Sequence, residues 1–429
     1  ASNHTITANG NVTQGSFGPF ARPDGEWAVS FEDGDSLAVA SSSDFDFGTG
    51  NFTWECFVFQ KSRSAFQLIM AQDDYSSGNS ISCWLTNTGQ ASIYYEGGGT
   101  HYTTTATVPL NTWTHLAWVR KGTGTNEFSI YINGTAEVSG AMNTNFNQDG
   151  IVIGQQANGN YDFIGNISNI RIVNGSAVYT GNFTVPTSKL TAVTNTKLLT
   201  CQSNRFVDDS ASAHTVTPSS NPAVTAFGPF LTDAVYDPAV NGASAYFDGT
   251  GDYLSTPSQG TLAASSNWCM ECYVFFTGTS SGTNRVMSSN LSTDSDAYFQ
   301  MRIRLGRYNF YTDNVDSGLV GTAEYNQWTH MAMTKSGTTV RAFVNGIKLW
   351  EATDNGTTVI QNLIIGWGYG SEYFPGYISD ARFVNGSSIY TANFTPPTAP
   401  LTAITNTSLL LNMADGQAID SAAQHNLTL

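Results

Sequence analysis

The stretch GNISNIRIVNGSAVYTGNFTVP, from Gly165 to Pro186, returns almost unchanged as GYISDARFVNGSSIYTANFTPP, from Gly376 to Pro397. Asn174 and Asn385 are about 211 residues apart. That spacing far exceeds the roughly 20–50-residue periods of solenoids and propellers, so each copy is a domain with its own core. A chain of 429 residues with 40% hydrophobic content can bury two such cores. Charged residues make up only 12%, aromatics another 12%, and Gly, Ser, Thr and Asn are abundant. This balance favours short strands and tight polar turns over helices, and an all-β chain is expected.

The formal net charge of -16 comes without a basic run. Phosphate contacts dominate nucleic-acid affinity, so nucleic acid is not an expected partner. The five cysteines, Cys56, Cys83, Cys201, Cys269 and Cys272, form no regular framework. Cys56 and Cys272 sit at the same place in WECFVF and MECYVF, where a small apolar residue on a buried strand suffices. Cys269 and Cys272 make a C-x-x-C, but no second pair or nearby histidine completes a zinc site. No stretch has the apolar length of a membrane-spanning helix, so membrane insertion is not expected. The opening ASNHTITANG lacks the regions of a signal peptide and an initiator Met, which points to processing or to a fragment.

Along the chain, HTITANG, FGPF and WAVSFEDGDSLAVA read as strands between turns, matched by HTVTPSS, FGPF and SAYFDGTGDYLSTP from His214, Phe227 and Ser244. Asn51 to Lys61 alternates Phe52, Trp54, Cys56 and Val58 with Thr53, Glu55, Phe57 and Phe59, a strand with no strongly polar face. A meander follows at Phe66 to Ala71, Ile81 to Leu85 and Ala91 to Tyr95, answered by Arg285 to Ser289, Ala297 to Arg304 and Arg307 to Tyr311. Asn133-Gly134 and Asn345-Gly346 then mark hairpin turns, since both residues accept positive φ in a type I′ turn. Strands IVIGQQ and LIIGWG lead into the repeated stretch, whose AVYTGNFT segment reads as a helical turn or loop.

The order W-T-H, hairpin, N-G, I-G and G-x-I-S-x-x-R, with FDGTGDYL at Phe247 to Leu254, resembles the laminin-G-like branch of the concanavalin A-like lectin and glucanase superfamily. The resemblance implies two tandem jelly-roll β-sandwiches, expected at residues 1–196 and 197–406. Residues 407–429 would begin a further unit or supply a strand linking neighbours. It fixes the fold more than the function, because this fold hosts lectins, adhesion modules, hydrolases and spacers. The stretch from Arg171 to Thr217 also resembles repeat units in structural proteins of marine tailed phages, especially those infecting cyanobacteria. That likeness implies an oligomeric protein of the virion surface or fibre, with other virion subunits as partners. A secreted bacterial adhesin is the alternative.

Glucanases of the superfamily carry E-x-D-x-x-E on one strand, placing nucleophile and acid at the right separation. Here Glu55 and Glu271 stand alone on the corresponding strand, so no catalytic residue is assigned and the chain reads as a non-enzyme. His115 and His330 recur in W-T-H without a nucleophile at fixed spacing, and read as core. Calcium is the one cofactor with candidate ligands, namely Asp33 with Asp35 and Asp248 with Asp252, then Asp73 with Asp74 and Asp294 with Asp296. Turn-forming aspartates account for them equally well.

Sugar binding needs flat aromatic faces beside planar polar groups. The candidates are Trp84, Tyr94, Tyr95, Tyr102 and Tyr161 in the first copy, and Tyr308, Tyr311, Trp367, Tyr369 and Tyr373 in the second. Asn166, Asn174, Asn182, Asn385 and Asn393 stand in Asn-x-Ser/Thr sequons that production in a phage host would leave bare. The reading is a non-catalytic, lectin-like adhesion protein for host cell-surface glycans or neighbouring subunits, against a structural decoration or spacer with no ligand.

Overall fold

The computed structural model describes residues 6–20, 27–72, 79–95, 102–147, 150–156, 159–230, 238–256, 260–262, 266–289, 299–312, 315–356, 358–360 and 362–413. Two bodies result, Pro23–Ala234 and the pair Ala1–Arg22 with Val235–Leu429. Each is an antiparallel two-sheet jelly-roll sandwich, as expected.

In the first module one sheet runs Thr135–Gly140, Phe128–Ile132, Trp113–Arg120, Phe52–Gln60, Gly165–Asn174, Ala28–Phe31 and Ala223–Thr225, with Thr196–Thr200 also on Gly165–Asn174. The other runs Val216–Ser219, Ser36–Val39, Ile151–Ile153, Gln67–Gln72, Ile81–Leu85, Gln90–Tyr95 and Tyr102–Thr107. The second module repeats the plan. One sheet runs Ile347–Thr353, Thr339–Val344, Trp328–Ser336, Trp268–Phe276, Pro375–Asn385, Ser244–Asp248 and Thr13–Gly15, with Thr407–Leu411 on Pro375–Asn385. Its partner runs Thr7–Asn9, Tyr253–Ser255, Leu363–Ile365, Thr283–Ser289, Phe299–Arg304, Arg307–Thr312 and Val315–Asp316.

This division differs from the expected boundaries at 196/197 and 406/407. Strands Thr196–Thr200 and Thr407–Leu411 pair inside their own modules, so neither opens a new unit or links neighbours. Residues 214–230 close the sandwich that precedes them, and the matching residues 6–20 close the second sandwich rather than the first. The reason lies in the central strand. Trp268, Met270, Cys272, Val274 and Phe276 fill the space between the sheets, while Glu271, Tyr273 and Phe275 point to the outer face. That outer face is aromatic and must also be covered. Phe17 packs on Phe275 at 5.0 Å and Phe20 on Tyr273 at 5.3 Å, as Phe227 packs on Phe59 at 4.9 Å and Phe230 on Phe57 at 5.0 Å. A strand with two apolar faces is thus a strand covered twice. The part of residues 414–429 that echoes His214 to Thr217 lies outside the described residues.

Both hairpins form at Asn-Gly. Asn133 and Asn345 take φ of 48°, and Gly134 and Gly346 take 78° and 77°. A Cβ on either glycine would strike the Phe183 or Phe394 carbonyl, so that position needs glycine for space as well as for φ. The AVYTGNFT segment and its copy form irregular loop, not helix. All five cysteines are free and buried, with Cys56 and Cys272 at matching sites. Among the described residues no helix is long and apolar enough to cross a membrane.

The two long strands of the repeated stretch each bulge at one left-handed residue, Asn169 with φ 52° and Asp380 with φ 51°. Asn169 donates to Ser168 Oγ at 2.8 Å and accepts from Leu190 N at 2.9 Å. Asp380 accepts from Ser379 Oγ and from Leu401 N, both at 2.6 Å. Both side chains are fully buried. Burial pushes the Asp380 carboxyl up to about 7, against the opposing effect of those two hydrogen bonds. A raised folded pKa means that Asp380 favours the fold at acid pH and loses that contribution as pH climbs from its ordinary 3.8 through about 7. Asp380→Asn, which copies Asn169, should match the parent at pH 4 and exceed it by about 4 kcal/mol at pH 8, by urea titration at each pH. Equal pH dependence in parent and variant would refute this account.

Candidate functional site

Tyr253 alternates with the core residue Leu254, so its ring stands on the outer face of the seven-stranded sheet of the second module. Next to it, strand Leu363–Ile365 ends in the turn GWGYG. Gly366 adopts φ 88° against the Phe247 ring, and a side chain at Gly368 would strike Arg285 and Ser288, so the turn lies close over the sheet face. Trp367 is anchored there. Its carbonyl accepts from Ser288 Oγ at 2.8 Å, and its indole Nε1 donates to Gly370 O at 2.9 Å.

Three rings meet at this turn. Tyr253 lies 4.8 Å from Trp367, tilted by 36°, and Tyr373 stacks on Trp367 at 5.8 Å and 17°. All three are half-buried, and Tyr369, in the same turn, is 42% exposed. Beside them the buried guanidinium of Arg285 pairs with Glu372, whose carboxylate is partly exposed. Farther along the same face, Arg302 Nη1 donates to Gln300 Oε1 at 2.8 Å, Asn309 Nδ2 donates to Asp316 Oδ1 at 2.7 Å, and Arg302 lies 5.9 Å from the Tyr311 ring centre. Gln300, Arg302 and Asn309 are buried, so the face presents the half-buried rings with the partly exposed Glu372 carboxylate beside them.

The corresponding face of the first module is different. Trp84 clusters with Leu68, Ala71, Val152 and the half-buried Tyr94. Tyr161, 44% exposed with φ 61°, caps Trp84 edge-on at 4.9 Å. Where Trp367 follows Gly366, Gln155 follows Gly154 and donates to Asp162 at 2.5 Å.

The structure thus gathers Trp84, Tyr94 and Tyr161 in one module and Trp367, Tyr369 and Tyr373 in the other, with Tyr311 farther along the second. Tyr308 is corrected. It is 2% exposed in the core between the sheets, and its hydroxyl accepts from Glu324 N at 3.0 Å. Tyr102 packs on Phe128 at 5.4 Å with its hydroxyl donating to Ala141 O, a strand-to-loop tie. Tyr95 ends strand Gln90–Tyr95, and its side chain lies outside the described residues. Tyr253, Arg285 and Glu372 were not singled out from sequence, although the alternation in DYLS points Tyr253 outward once Leu254 is assigned to the core.

Two of the candidate calcium ligands, Asp35 and Asp252, are engaged by the backbone. Asp35 accepts from Glu32 N and Asn221 N, both at 2.8 Å, and Asp252 accepts from Asp248 N at 3.0 Å and Asn11 N at 2.6 Å. Their oxygens hold backbone amides. Asp248 caps its own turn through Thr250, and Asp33 neighbours Asp162, which with burial raises its pKa. Among the described residues no three metal-ligating side chains converge. Asp73, Asp74, Asp294 and Asp296 lie outside those residues.

Glu55 and Glu271 anchor matching buried clusters. Glu55 binds His115 at 3.1 Å, Arg171 at 2.7 Å and the Tyr179 hydroxyl at 2.8 Å. Glu271 binds His330 at 3.0 Å, Arg382 at 2.6 Å and Tyr390 at 2.8 Å. Tyr179 stacks on Phe183 at 3.5 Å, and Tyr390 on Phe394 at 3.6 Å. Glu55, Glu271 and both histidines have no solvent exposure, so no substrate reaches them. Burial pushes each carboxyl up, but the histidine hydrogen bond and the arginine charge outweigh it and leave the pKa lowered. A lowered folded pKa gives stability that is in place above the ordinary 4.5 and lost as pH falls below it. Glu55→Gln would leave Arg171 buried without its counter-charge and should cost about 3–5 kcal/mol in urea unfolding. Tyr179→Phe, which removes one hydrogen bond, should cost about 1 kcal/mol.

A family model described as Laminin_G_3, of the concanavalin A-like lectin/glucanases superfamily, matches residues 31–178 and 248–388. Among solved structures, the mouse laminin alpha1 chain domains LG4-5 are similar at 13% identity over 90% of this chain and 96% of that one, with a TM-score of 0.31. A heptameric SAP-like pentraxin from Limulus polyphemus matches at 15% identity, covering 36% and 77%, with a TM-score of 0.28. The Ruminococcus gnavus IT-sialidase CBM40, bound to alpha2,3 sialyllactose, matches at 12% identity, covering 36% and 94%, with a TM-score of 0.29. No curated protein matches the chain.

Proposed function

The chain belongs to the concanavalin A-like lectin/glucanases superfamily, and from that premise we propose that it is a non-catalytic adhesion protein whose second module binds cell-surface glycans. The observation that carries this reading is the shelf formed by Tyr253, Trp367 and Tyr373 beside the Arg285–Glu372 pair. A pyranose ring presents one apolar C–H face and a rim of hydroxyls. The shelf offers an aromatic plane for the first and a carboxylate with fixed neighbours for the second. Such a site is shallow, so each contact is weak and repetition on one particle raises the avidity. Display on a virion surface is part of this proposal and rests on the sequence resemblance of Arg171 to Thr217 alone.

The first module favours a second role. Its Gln155–Asp162 pair occupies the place of the Trp367 turn, and Trp84 is largely covered. That module reads as a spacer. The shelf uses neither Asp35 nor Asp252, whose oxygens hold backbone amides.

A glycan array probed with the multivalently displayed chain tests the proposal. Reproducible binding should weaken by about tenfold or more, about 1.4 kcal/mol, in Trp367→Ala. Binding should be unchanged in Tyr102→Phe, which keeps the ring. A blank array at high valency would replace the adhesion reading with the spacer reading for both modules.

A further inference from the structure

Residues 6–20 and 214–230 are two copies of one device. Each lends a strand to both sheets of a sandwich. Thr7–Asn9 pairs with Tyr253–Ser255 and Thr13–Gly15 with Ser244–Asp248, as Val216–Ser219 pairs with Ser36–Val39 and Ala223–Thr225 with Ala28–Phe31. Each offers one backbone amide, of Asn11 or Asn221, to a buried aspartate, Asp252 or Asp35. Each plants two phenylalanines on the outer face of a central strand. The difference is in the order of the chain. Residues 214–230 follow the module they close, whereas residues 6–20 are separated from theirs by the whole of the first module.

An empty slot would be costly. Tyr253–Ser255 and Ser244–Asp248 would become unpaired edges, Asp252 would keep a fully buried carboxyl without the Asn11 amide, and Tyr273, Phe275, Trp328 and Tyr377 would face water. The slot must be filled, but nothing in its pairing requires that the filler come from the same molecule. The connection through the first module acts as a tether, which sets an effective concentration and not an identity.

We propose that the slot on the second sandwich is an assembly site that accepts residues 6–20 of a second copy of this chain, joining copies head to tail by strand addition. The closure within one chain is the monomeric form of the same contact. Because donor and acceptor are different surfaces, the contact is heterologous and generates rings or filaments. This inference is independent of the glycan site and survives its failure.

Thr7 and Ser255 are direct partners in the pairing, and all five native cysteines are buried, so an introduced pair can report the contact. Full-length Thr7→Cys and Ser255→Cys chains, made separately, are mixed from about 10 µM to about 1 mM, a range that reaches the millimolar effective concentrations typical of tethered segments, and then oxidised. The expected result is a disulfide-linked heterodimer that increases with concentration and falls at least tenfold when Phe17→Ala is added to the Thr7→Cys chain. The chain carrying both cysteines should form oligomer ladders at the upper concentrations. If that double variant closes only within single chains and the mixture gives no heterodimer at any concentration, the proposal is wrong.

Discussion

The structure depends on covering the outer face of one strand in each module. Phe52–Gln60 and Trp268–Phe276 are buried on both faces, which an antiparallel sheet ordinarily avoids by turning one face to water. The inner face is satisfied by the opposing sheet. The outer face requires two further pieces of chain. One is the loop after the repeated strand, locked down by Glu55 or Glu271 and by the Tyr179–Phe183 or Tyr390–Phe394 stack. The other is the closing segment with its paired phenylalanines. The buried glutamate makes the first cover specific. A carboxylate that accepts from a histidine, an arginine and a tyrosine permits only one placement of the loop, and a vacancy at any partner leaves charge without solvent.

This double cover explains what could be read from the sequence and what could not. The duplication, the all-β class, the Asn-Gly hairpins and the strand of Asn51 to Lys61 were legible because each rests on local pattern, either alternation or turn chemistry. The absence of a polar face on that strand was visible too, and it already implied a second covering layer. Which segment supplies the layer was not visible. Residues 6–20 match 214–230 in sequence, but only three-dimensional pairing shows that they serve the module beginning beyond residue 234 and not the one that follows them directly. Domain limits drawn from the repeat phase therefore fell in the wrong places, at 196/197 and 406/407, inside modules rather than between them.

The candidate site was legible in the same uneven way. Trp367, Tyr369 and Tyr373 stand out beside glycines, and their turn does lie over a sheet face. Tyr308 has the same composition around it and faces the core, because alternation in RYNFYT sends Tyr308 and Phe310 inward and Asn309 and Tyr311 outward. Parity along the strand decides the matter, and it is fixed only when one residue of the run is assigned. The aspartates are a related case. Asp35 and Asp252 have the spacing of loop ligands, but one oxygen of each is taken by an amide 3 or 4 residues away and the other by an amide 186 or 241 residues away, a distance no local pattern conveys.

Comparing the modules with each other separates framework from function without any other sequence. The glutamate cluster, the aspartate latch, the Asn-Gly turn and the paired phenylalanines are the same in both, and the glutamates, the latching aspartates and the phenylalanines are buried or half-buried groups whose loss would open the fold. The turn after Ile153 or Ile365 is not the same. One module places a glutamine–aspartate pair there, and the other places tryptophan between two tyrosines. Stability cannot account for that choice, since both turns sit on equivalent strands and both close. An aromatic surface left half-exposed in water is unfavourable unless something covers it part of the time. The second module concentrates that cost in three contacting rings where its copy exposes the single ring of Tyr161, and this contrast, more than the aromatic content itself, supports the proposal that the face is a surface for recognition.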